Sequence, residues 1–469
     1  MTEINITTDT AEGFIVPESG ETNFNWMAAF PSYNGLLAAL GTPDERAAGF
    51  MVVSSVTDWY ARLTATYDTG WFISSTTRED GETVVSYTNE TPDGNENGNW
   101  PNGPTTNVDG SSIPWSSEWW SVHNYLRYGG RCVISGAVDN KTETVNNAID
   151  ILKTLPTTIN CVFTNNYVYN SDIVNIVNDR TDCIAICPIQ LTGTTTVSSN
   201  IQGLAGLETQ SKKTFRIAGN KLHLGTSQTY TIGDNTSSSL ISSALSADVA
   251  GCMSRVNASL TPFGSPAGIV AGRILDVVRM EYTPTTADIT YLKRFYVNTA
   301  RTFEGTGSCI FGDMTGRQPS DSDSSVFQYV NVVLTELYLN RVISDSIRPY
   351  LFRTNDASNR SAIVNTITPI LRNAVASGGI VEYKLICDET NNDQRVIDNN
   401  QLNVNFVCKF PLSTQVINLT FTAKSGTQSV SSSITDSGSI SASNTGTRPS
   451  GTRPSSSSST LNTSGGRSY

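Results

Sequence analysis

The sequence predicts a multidomain protein of mixed α/β and α+β class. The prediction rests on the length of 469 residues, on helices that alternate with strands between about 136 and 190, and on three consecutive strands that follow a helix between 356 and 423. Domains average roughly 150 residues, so the length suggests two to four of them. Alternating helices and strands indicate parallel strand pairs, whereas consecutive strands beside one helix indicate an antiparallel or mixed sheet with one covered face.

The α/β pattern defines a central domain over 136–303. Helical spacing of apolar residues predicts helices over 145–155 and 171–178, the second capped by Ser171 or Asp172, and buried strands follow them at 159–163 and 183–187. The same spacing predicts further helices over 240–255 and 286–303. Neither GxGxxG nor GxxxxGK[ST] occurs in these loops, so no phosphate-binding loop is predicted.

The segment 304–424 is predicted to form a C-terminal α+β domain, with a helix packed on a sheet. Asp356 or Ser358 caps this helix, Pro369 should kink it, and Gly378-Gly379 should end it. Alternation of apolar and polar residues then predicts three strands that share one buried face, over 380–387, 402–410 and 417–423.

The remaining segments are expected to be peripheral. Residues 1–24 suggest an arm, either flexible or a lone strand that pairs elsewhere. Residues 25–135 suggest a β-rich outer region, with strands at 51–55 and 71–74 and a Gly-, Asn- and Trp-containing insertion at about 76–120. Residues 425–469 are rich in Ser, Thr and Gly, and such a tail buries too little apolar surface to order itself alone.

Composition excludes several classes of function. The net charge is −11 and basic residues are scattered, whereas nucleic-acid binding requires a basic surface. The sequence has no apolar stretch of membrane-spanning length and no signal peptide at its start, so we expect neither membrane insertion nor secretion. Most of the eight cysteines lie in apolar runs, which predicts buried structural thiols. With only two histidines in the chain, we expect no metal site and no cofactor.

No catalytic residues are predicted. Glu118, Asp313, Asp388 and Glu389 are the carboxylates considered as an acid–base pair. Asp313 lies in a Gly-rich turn and Asp388 at the exit of a strand, which are ordinary places for aspartate. Neither histidine lies in a motif typical of a Ser-His-Asp site.

The tryptophans Trp100, Trp115, Trp119 and Trp120 allow two interpretations. They form either the core of a small β insertion or an exposed aromatic platform that binds sugars, as in a glycan-binding virion surface protein. Exposed and coplanar rings would favour the second interpretation.

An ordered series of segments resembles the contractile phage tail sheath proteins. FGDMTG (311–316), FQYVNVVL (327–334) and YLFRTND (350–356) are followed by the helix PILRNAVASGGI and the strands YKLICDETNN and QLNVNFVCKFP. Upstream, DVAGCMSRV (248–256), SPAGIVAG (265–272) and YVNTARTFEGTGSCIFGD (296–313) also resemble this family. The resemblance covers roughly 240–423. The start, MTEINITTDTAEGFIVPE, departs from the Ser-Pro-Gly-Val type of many relatives.

The resemblance implies a structural subunit and no enzymatic activity. Copies of the subunit would stack as hexameric rings around a tail tube and contract to drive the tube through the host envelope. The implied architecture is a central subtilisin-like α/β domain without a catalytic triad and an innermost C-terminal domain that faces the tube. The implied partners are other copies, the tail tube protein, and the baseplate and tail terminator proteins. Assembly in the host cytoplasm would place the subunit in the virion, and the sheath of another contractile injection particle is an open alternative.

Two groups of residues are candidates for assembly contacts. Extended termini in this family reach neighbouring subunits as added strands, which makes the following apolar residues candidates: Ile4, Ile6, Phe14, Ile15, Ile417, Leu419 and Phe421. Arg360 and Arg372 flank or lie on the C-terminal helix and are candidate tube-facing cations, although ordinary solvated charges fit the pattern equally.

Overall fold

The computed structural model describes residues 5–7, 13–15, 26–64, 71–77, 83–90, 96–99, 115–136, 142–180, 182–191, 201–202, 211–224, 240–259, 263–317 and 326–413. Its strands are β1 (Asn5–Thr7), β2 (Gly13–Ile15), β3 (Met27–Ser32), β4 (Phe50–Val53), β5 (Trp71–Thr77), β6 (Thr83–Glu90), β7 (Glu96–Asn99), β8 (Arg131–Gly136), β9 (Cys161–Phe163), β10 (Ile184–Leu191), β11 (Ile201–Gln202), β12 (Thr214–Ala218), β13 (Asn220–Leu224), β14 (Leu240–Ala244), β15 (Arg279–Met280), β16 (Val297–Phe303), β17 (Gly307–Phe311), β18 (Glu382–Ile386) and β19 (Asn405–Lys409).

The helices connect these strands and cover the sheets. In chain order they are α1 (Leu36–Leu40), α2 (Pro43–Ala48), α3 (Val56–Thr64), α4 (Ser116–Leu126), α5 (Thr142–Thr154), α6 (Asn170–Asp179), α7 (Ser246–Ser259), α8 (Thr286–Lys293), α9 (Val330–Ile347), α10 (Ala357–Ala376) and α11 (Gln394–Asp398).

The largest sheet has nine strands, in the order β17-β16-β12-β10-β9-β3-β8-β4, with β11 added beside β10. The six strands from β16 to β8 in this order run parallel, and β4 and β17 close the two edges in the antiparallel direction. The parallel strands are buried on both faces, which is why they appear in the sequence as short continuous apolar runs.

Helices cover both faces of this sheet. Successive residues of a strand point to opposite faces. In β3, Phe30 accordingly packs in a core with α1, α3, α4, α7 and the first turns of α9, whereas its neighbour Ala29 packs in a second core with α5, α6 and α8. The result is a three-layer α/β/α arrangement.

Four smaller sheets complete the described structure. They are the hairpin β1-β2, the antiparallel sheet β5-β6-β7, the sheet β14-β13-β15, and the hairpin β18-β19. The sheet β5-β6-β7 lies within the segment predicted as an outer insertion. The pairing of β1 with β2 differs from the predicted lone strand, because Ile6 lies opposite Phe14 in the same hairpin.

Strand pairing does not follow the predicted domain boundaries. Strands β3, β4 and β8 come from the segment predicted as an outer region, yet they share the nine-stranded sheet with β9 and β10. Similarly, β17 pairs with β16 across the boundary predicted at 303 and 304. Parallel partners are separated by long crossover connections, so local patterns do not reveal which distant strand a segment joins.

Two predicted helices are wrong over part of their length. Residues 240–244 form β14, and only the part from Ser246 onward is helical. Residues 297–303 form β16, whereas the helix α8 ends at Lys293. Val297 and Thr299 are β-branched residues that favour a strand, and β16 gains a full partner strand on each side.

Other local predictions are confirmed. α5, β9, α6 and β10 occur in the predicted order, although the residue that precedes α6 is Tyr169, with no side-chain cap. Asp356 caps α10 by accepting a hydrogen bond from the Asn359 backbone N–H at 2.8 Å. β18 and β19 confirm two of the three predicted strands, and the third, 417–423, lies outside the described residues.

Candidate assembly surfaces

The C-terminal part is built on the antiparallel helices α9 and α10. Its apolar core joins Leu339 and Ile343 of α9 to Ile367 and Leu371 of α10, and Phe406 of β19 packs against them. One face of the hairpin β18-β19 is therefore covered by helix. A hairpin of two strands is only marginally stable by itself, so this cover holds it in place.

The other face and both edges of β18-β19 are open among the described residues. Val407 of β19 is 49% exposed, between Asn405 and Lys409, which are exposed as well. Val381, which directly precedes β18, is 52% exposed, and its backbone N–H donates to Lys409 O. Open edges present unpaired N–H and C=O groups that can accept a further strand.

Phe352 is the most exposed large apolar residue in the described part of the chain. Its side chain is 87% exposed, and its backbone has φ +65° in the turn between α9 and α10. A left-handed conformation costs a bulky residue roughly 1–2 kcal/mol. The turn is nevertheless well fixed, because the Tyr350 hydroxyl lies 3.0 Å from Thr366 Oγ1 and the Arg353 guanidinium lies over the Tyr350 ring. The fold therefore holds this ring in solvent.

A second exposed apolar site is the loop 265–272. Val270 is 80% exposed at its tip, beside the half-exposed Ile269. The backbone N–H of Gly268 donates to Ile310 O, and that of Gly272 donates to Gly268 O, at 2.8 and 2.9 Å. A Cβ atom on Gly272 would lie 2.8 Å from Pro266 O, so only glycine allows this tight loop. The loop thus presents its apolar tip rigidly.

Buried ion pairs attach this C-terminal part to the main sheet and stabilise the sheet itself. Lys212 Nζ, just before β12, lies 3.0 Å from Glu336 Oε1 of α9 and above the Phe327 ring. Lys221 Nζ of β13 lies 2.8 Å from Asp248 Oδ1 of α7, and both side chains are fully buried. Such pairs fix geometry strongly because a lone buried charge is costly.

The carboxylates considered for catalysis have separate structural roles. Asp313 accepts hydrogen bonds from Ser265 and Ser413 and so joins two loops. Asp388 is bound by Thr390 within its own turn. These contacts do not bring Asp313 and Asp388 together as an acid–base pair.

The carboxylate of Glu118 is fully buried and binds the loop after β3. It accepts hydrogen bonds from Ser32 Oγ at 2.6 Å, from the Tyr33 backbone N–H at 2.8 Å, and from the backbone and side chain of Asn34. Burial raises the pKa of Glu118 to about 7, against the opposing effect of these hydrogen bonds.

The tryptophans are core residues of the large sheet. Trp119 and Trp120 lie on α4, are fully buried, and pack around His123 with ring centroids 5.2–5.3 Å apart. Burial lowers the pKa of His123 to about 3. Trp115 is partly buried against the same core, and Trp100 lies outside the described residues. The prediction of an exposed aromatic platform is therefore wrong for the three described tryptophans. The prediction that they form the core of a β insertion is also wrong, because they belong to the core of the large sheet.

The predicted assembly residues have different outcomes. Arg360 is buried, donates to Asn355 Oδ1 at 2.9 Å and lies 3.7 Å from Glu389, so it is an internal residue and not a free tube-facing cation. Arg372 is exposed on α10. Ile6, Phe14 and Ile15 lie in the β1-β2 hairpin. The remaining candidates lie outside the described residues: Ile4, Ile417, Leu419 and Phe421.

The cysteines are free thiols, seven buried and Cys408 half-buried, which confirms their predicted structural role. Within the described ranges, no cluster of three or more His, Cys, Asp or Glu could hold a metal ion. Nor does any helix in those ranges have the length and apolarity needed to cross a membrane.

Comparison with known proteins identifies the C-terminal part directly. Residues 322–424 match the family of the phage tail sheath C-terminal domain. The C-terminal part of the chain is thus similar to the contractile phage tail sheath proteins. Its sequence is 33% identical over 181 residues to the tail sheath protein of Vibrio phage KVP40, a match that covers 39% of this chain and 26% of that protein. The tail sheath protein of Enterobacteria phage T4 is 32% identical over 179 residues, which cover 38% and 27% of the two chains. The match therefore spans about a quarter of the length of these curated relatives.

Solved structures have a similar fold over most of the chain. The sheath complex of an extracellular contractile injection system (PVC) in the contracted state has a TM-score of 0.61 and 14% identity, with 90% of this chain and 99% of that chain covered. A chain of the anti-feeding prophage baseplate has a TM-score of 0.59 and 12% identity, with 91% and 100% covered. These matches confirm the mixed α/β class. The family and its structural neighbours consist of sheath proteins and not of enzymes, in agreement with the predicted structural role.

Sequence reasoning did not single out the exposed sites at Phe352 and Val270. Both lie within segments that carry the family resemblance. The available signal was their context, since Phe352 lies between a helix and the next helix cap, and Val270 lies between two glycines in a short loop.

Proposed function

We propose that this protein is a tail sheath subunit that polymerises as stacked hexameric rings around a tail tube and contracts to drive the tube through the host envelope. The open hairpin β18-β19 within the matched C-terminal domain is the main support for this proposal. A strand from a neighbouring subunit would add about four to six main-chain hydrogen bonds at about 0.5–1.5 kcal/mol each. Repeated through a lattice, such links would survive large movements of the subunits.

The same proposal extends to architecture and partners. In it, the central α/β domain has a subtilisin-like topology, and the region 304–424 lies innermost, where Arg372 faces the tube. The strands around Ile6, Phe14 and Leu419 supply the exchanged strands, while Phe352 and Val270 fill apolar sites on neighbouring copies. The partners are the tube, baseplate and tail terminator proteins, and assembly occurs in the host cytoplasm before the virion is complete.

A contractile injection particle is the second candidate. The structural neighbours named above come from such particles, and their folds cover nearly the whole chain. Neighbouring genes distinguish the two candidates, because a phage carries portal and terminase genes, whereas an injection particle carries effector genes. The subunit's mechanism is the same in both.

The first test is negative-stain microscopy and sedimentation of the purified chain, alone and with added tail tubes. We expect tubular polymers or ring stacks from the full chain and their loss on deletion of residues 1–20. Polymers that persist after the deletion would remove the N-terminal arm from the mechanism. Failure to polymerise even on added tubes would refute the sheath proposal.

Phe352→Gly provides a sharper variant. Glycine tolerates φ +65°, so the folded subunit should gain up to roughly 1 kcal/mol of stability, while polymers should form less readily. Val326→Ser changes another exposed apolar residue and serves as the control. Unchanged polymerisation of the Phe352 variant would show that this ring is not an assembly contact.

A further inference from the structure

A polar cavity of about 370 Å³ lies at the carboxyl ends of three adjacent parallel strands. Asn165 and Tyr167 follow β9, Gln190 lies near the end of β10, and Asn220 follows β12. Helix α4 contributes Ser117 and Ser121, and β14 closes the cavity from the other side. In open α/β sheets, the crevice beyond the carboxyl ends of the strands is the usual place for a ligand.

The cavity offers only uncharged polar groups and a few apolar ones. None of its lining residues is Asp, Glu, Lys, Arg or His. The nearby Glu281 accepts hydrogen bonds from the Asn220 and Ser242 side chains, both at 2.9 Å, and so is already engaged. An ionic ligand would lose its hydration here without gaining an opposite charge. The lining therefore favours a neutral ligand.

Two buried polar atoms of the lining are unsatisfied. Ser121 Oγ and Asn165 Oδ1 are buried, and neither has a hydrogen-bond partner among the residues that the structure describes. Ser121 is 1% exposed, and the Asn165 side chain is oriented by its amide, which donates to Ser117 Oγ at 3.1 Å. A buried polar atom without a partner destabilises the folded state, and a hydroxylated ligand would offset this cost.

We infer that this cavity binds one neutral sugar residue. Serine hydroxyls and Asn or Gln amides both donate and accept hydrogen bonds, which matches the mixed donors and acceptors of sugar hydroxyl groups. The half-buried ring of Tyr167 provides an apolar wall for the C–H face of the sugar. An apolar ligand of the same size would leave Ser121 and Asn165 unsatisfied. The inference is independent of the proposed sheath function, since it concerns a different part of the subunit.

The test is a binding titration of the full chain by saturation-transfer NMR. The probes are D-glucose, D-galactose, D-mannose and N-acetylglucosamine, with D-glucuronate as the anionic counterpart and dextran and mannan as polymers. We expect at least one neutral sugar to bind and D-glucuronate to bind at least tenfold more weakly. Binding of a polymer as well as its monomer would identify surface glycan as the source, and binding of the monomer alone would identify free sugar.

Variants assign the binding to this cavity. Ser121→Ala should weaken binding about tenfold, because one buried hydrogen bond is lost. Ser117→Trp, at an exposed position on the rim, should block the cavity while the fold is retained. Ser346→Ala makes the same chemical change as Ser121→Ala on α9, outside the cavity, and should not alter binding. The inference is overturned if no neutral sugar binds, if D-glucuronate binds equally well, or if Ser121→Ala and Ser117→Trp bind as the unmodified chain does.

Discussion

Replacing Glu118 with Gln tests how burial controls the protonation of this carboxyl group. The pKa of Glu118 is raised from its ordinary value of 4.5 to about 7 by burial. The folded chain therefore holds this proton more tightly than the unfolded chain, so the free energy of unfolding falls as pH rises from about 4.5 through about 7. Glutamine keeps the shape and can accept the bonds from Tyr33 and Asn34, but it does not titrate.

The expected size of the effect follows from the two pKa values. At about 1.4 kcal/mol for each tenfold change in proton affinity, the rise to about 7 corresponds to about 3 kcal/mol in total, most of which is lost between pH 5 and pH 8. His123 titrates in the opposite sense, because its pKa is lowered and the unfolded chain binds its proton more tightly. Comparing the variant with the unmodified chain at each pH cancels this contribution.

The assay is urea denaturation followed by tryptophan fluorescence at pH 5, 6, 7 and 8. Relative to the unmodified chain, Glu118→Gln should become more stable by about 2–3 kcal/mol between pH 5 and pH 8. Glu382→Gln makes the same change at an exposed position of β18 and serves as the control. A flat difference for Glu118→Gln would refute the claim that burial keeps this carboxyl protonated near neutral pH.

Three further predictions concern the core. Lys221→Met leaves Asp248 buried without its cation and should cost about 3–5 kcal/mol by urea denaturation, whereas Lys153→Met, in a partly exposed pair, should cost under about 1 kcal/mol. Arg180→Lys should lower the free energy of unfolding by about 2–3 kcal/mol in the same assay, because lysine cannot supply the guanidinium bonds to three backbone carbonyls and Asp182. The control Arg372→Lys, at an exposed position, should be neutral. Equal stabilities of these two variants would contradict this account. Iodoacetamide at pH 7.5 should modify at most one thiol of the folded chain in the time that labels all eight in urea, as counted by mass spectrometry. Seven thiols are protected by burial, and burial raises the pKa of the eighth, Cys408, to about 11. Rapid labelling of several thiols in the folded chain would contradict the structure.

Local patterns predicted the elements whose packing follows from their own sequence. α5, β9, α6 and β10 each show one apolar face or one apolar run, and they occur where predicted. The helix predicted over residues 240–244 is wrong because these residues form a strand by hydrogen bonding to β13, where Ser243 lies opposite Lys221. Such a partner cannot be read from the apolar spacing of the segment itself, and tertiary pairing overrides local preference.

The functional features were even less accessible from the sequence. Phe352 is notable because of its backbone angle and exposure, and neither property follows from an apolar residue in a turn. Arg360 carries the charge expected of a surface contact, yet Asn355 holds it inside. The cavity at the carboxyl ends of the strands gathers side chains from five separate segments, so only the folded topology brings Ser121 and Asn165 together.

The position of β3 inside the largest sheet has a consequence for the order of folding. Its partners β8 and β9 begin at Arg131 and Cys161. Met27 and Ala28 can therefore pair only after more than a hundred further residues have been synthesised. Contacts so distant along the chain slow folding, because the entropic cost of closing the loop comes before strand pairing stabilises the structure. A nascent chain shorter than about 163 residues therefore exposes the apolar β3 on the ribosome, and we expect chaperone capture to be strongest during this interval of translation.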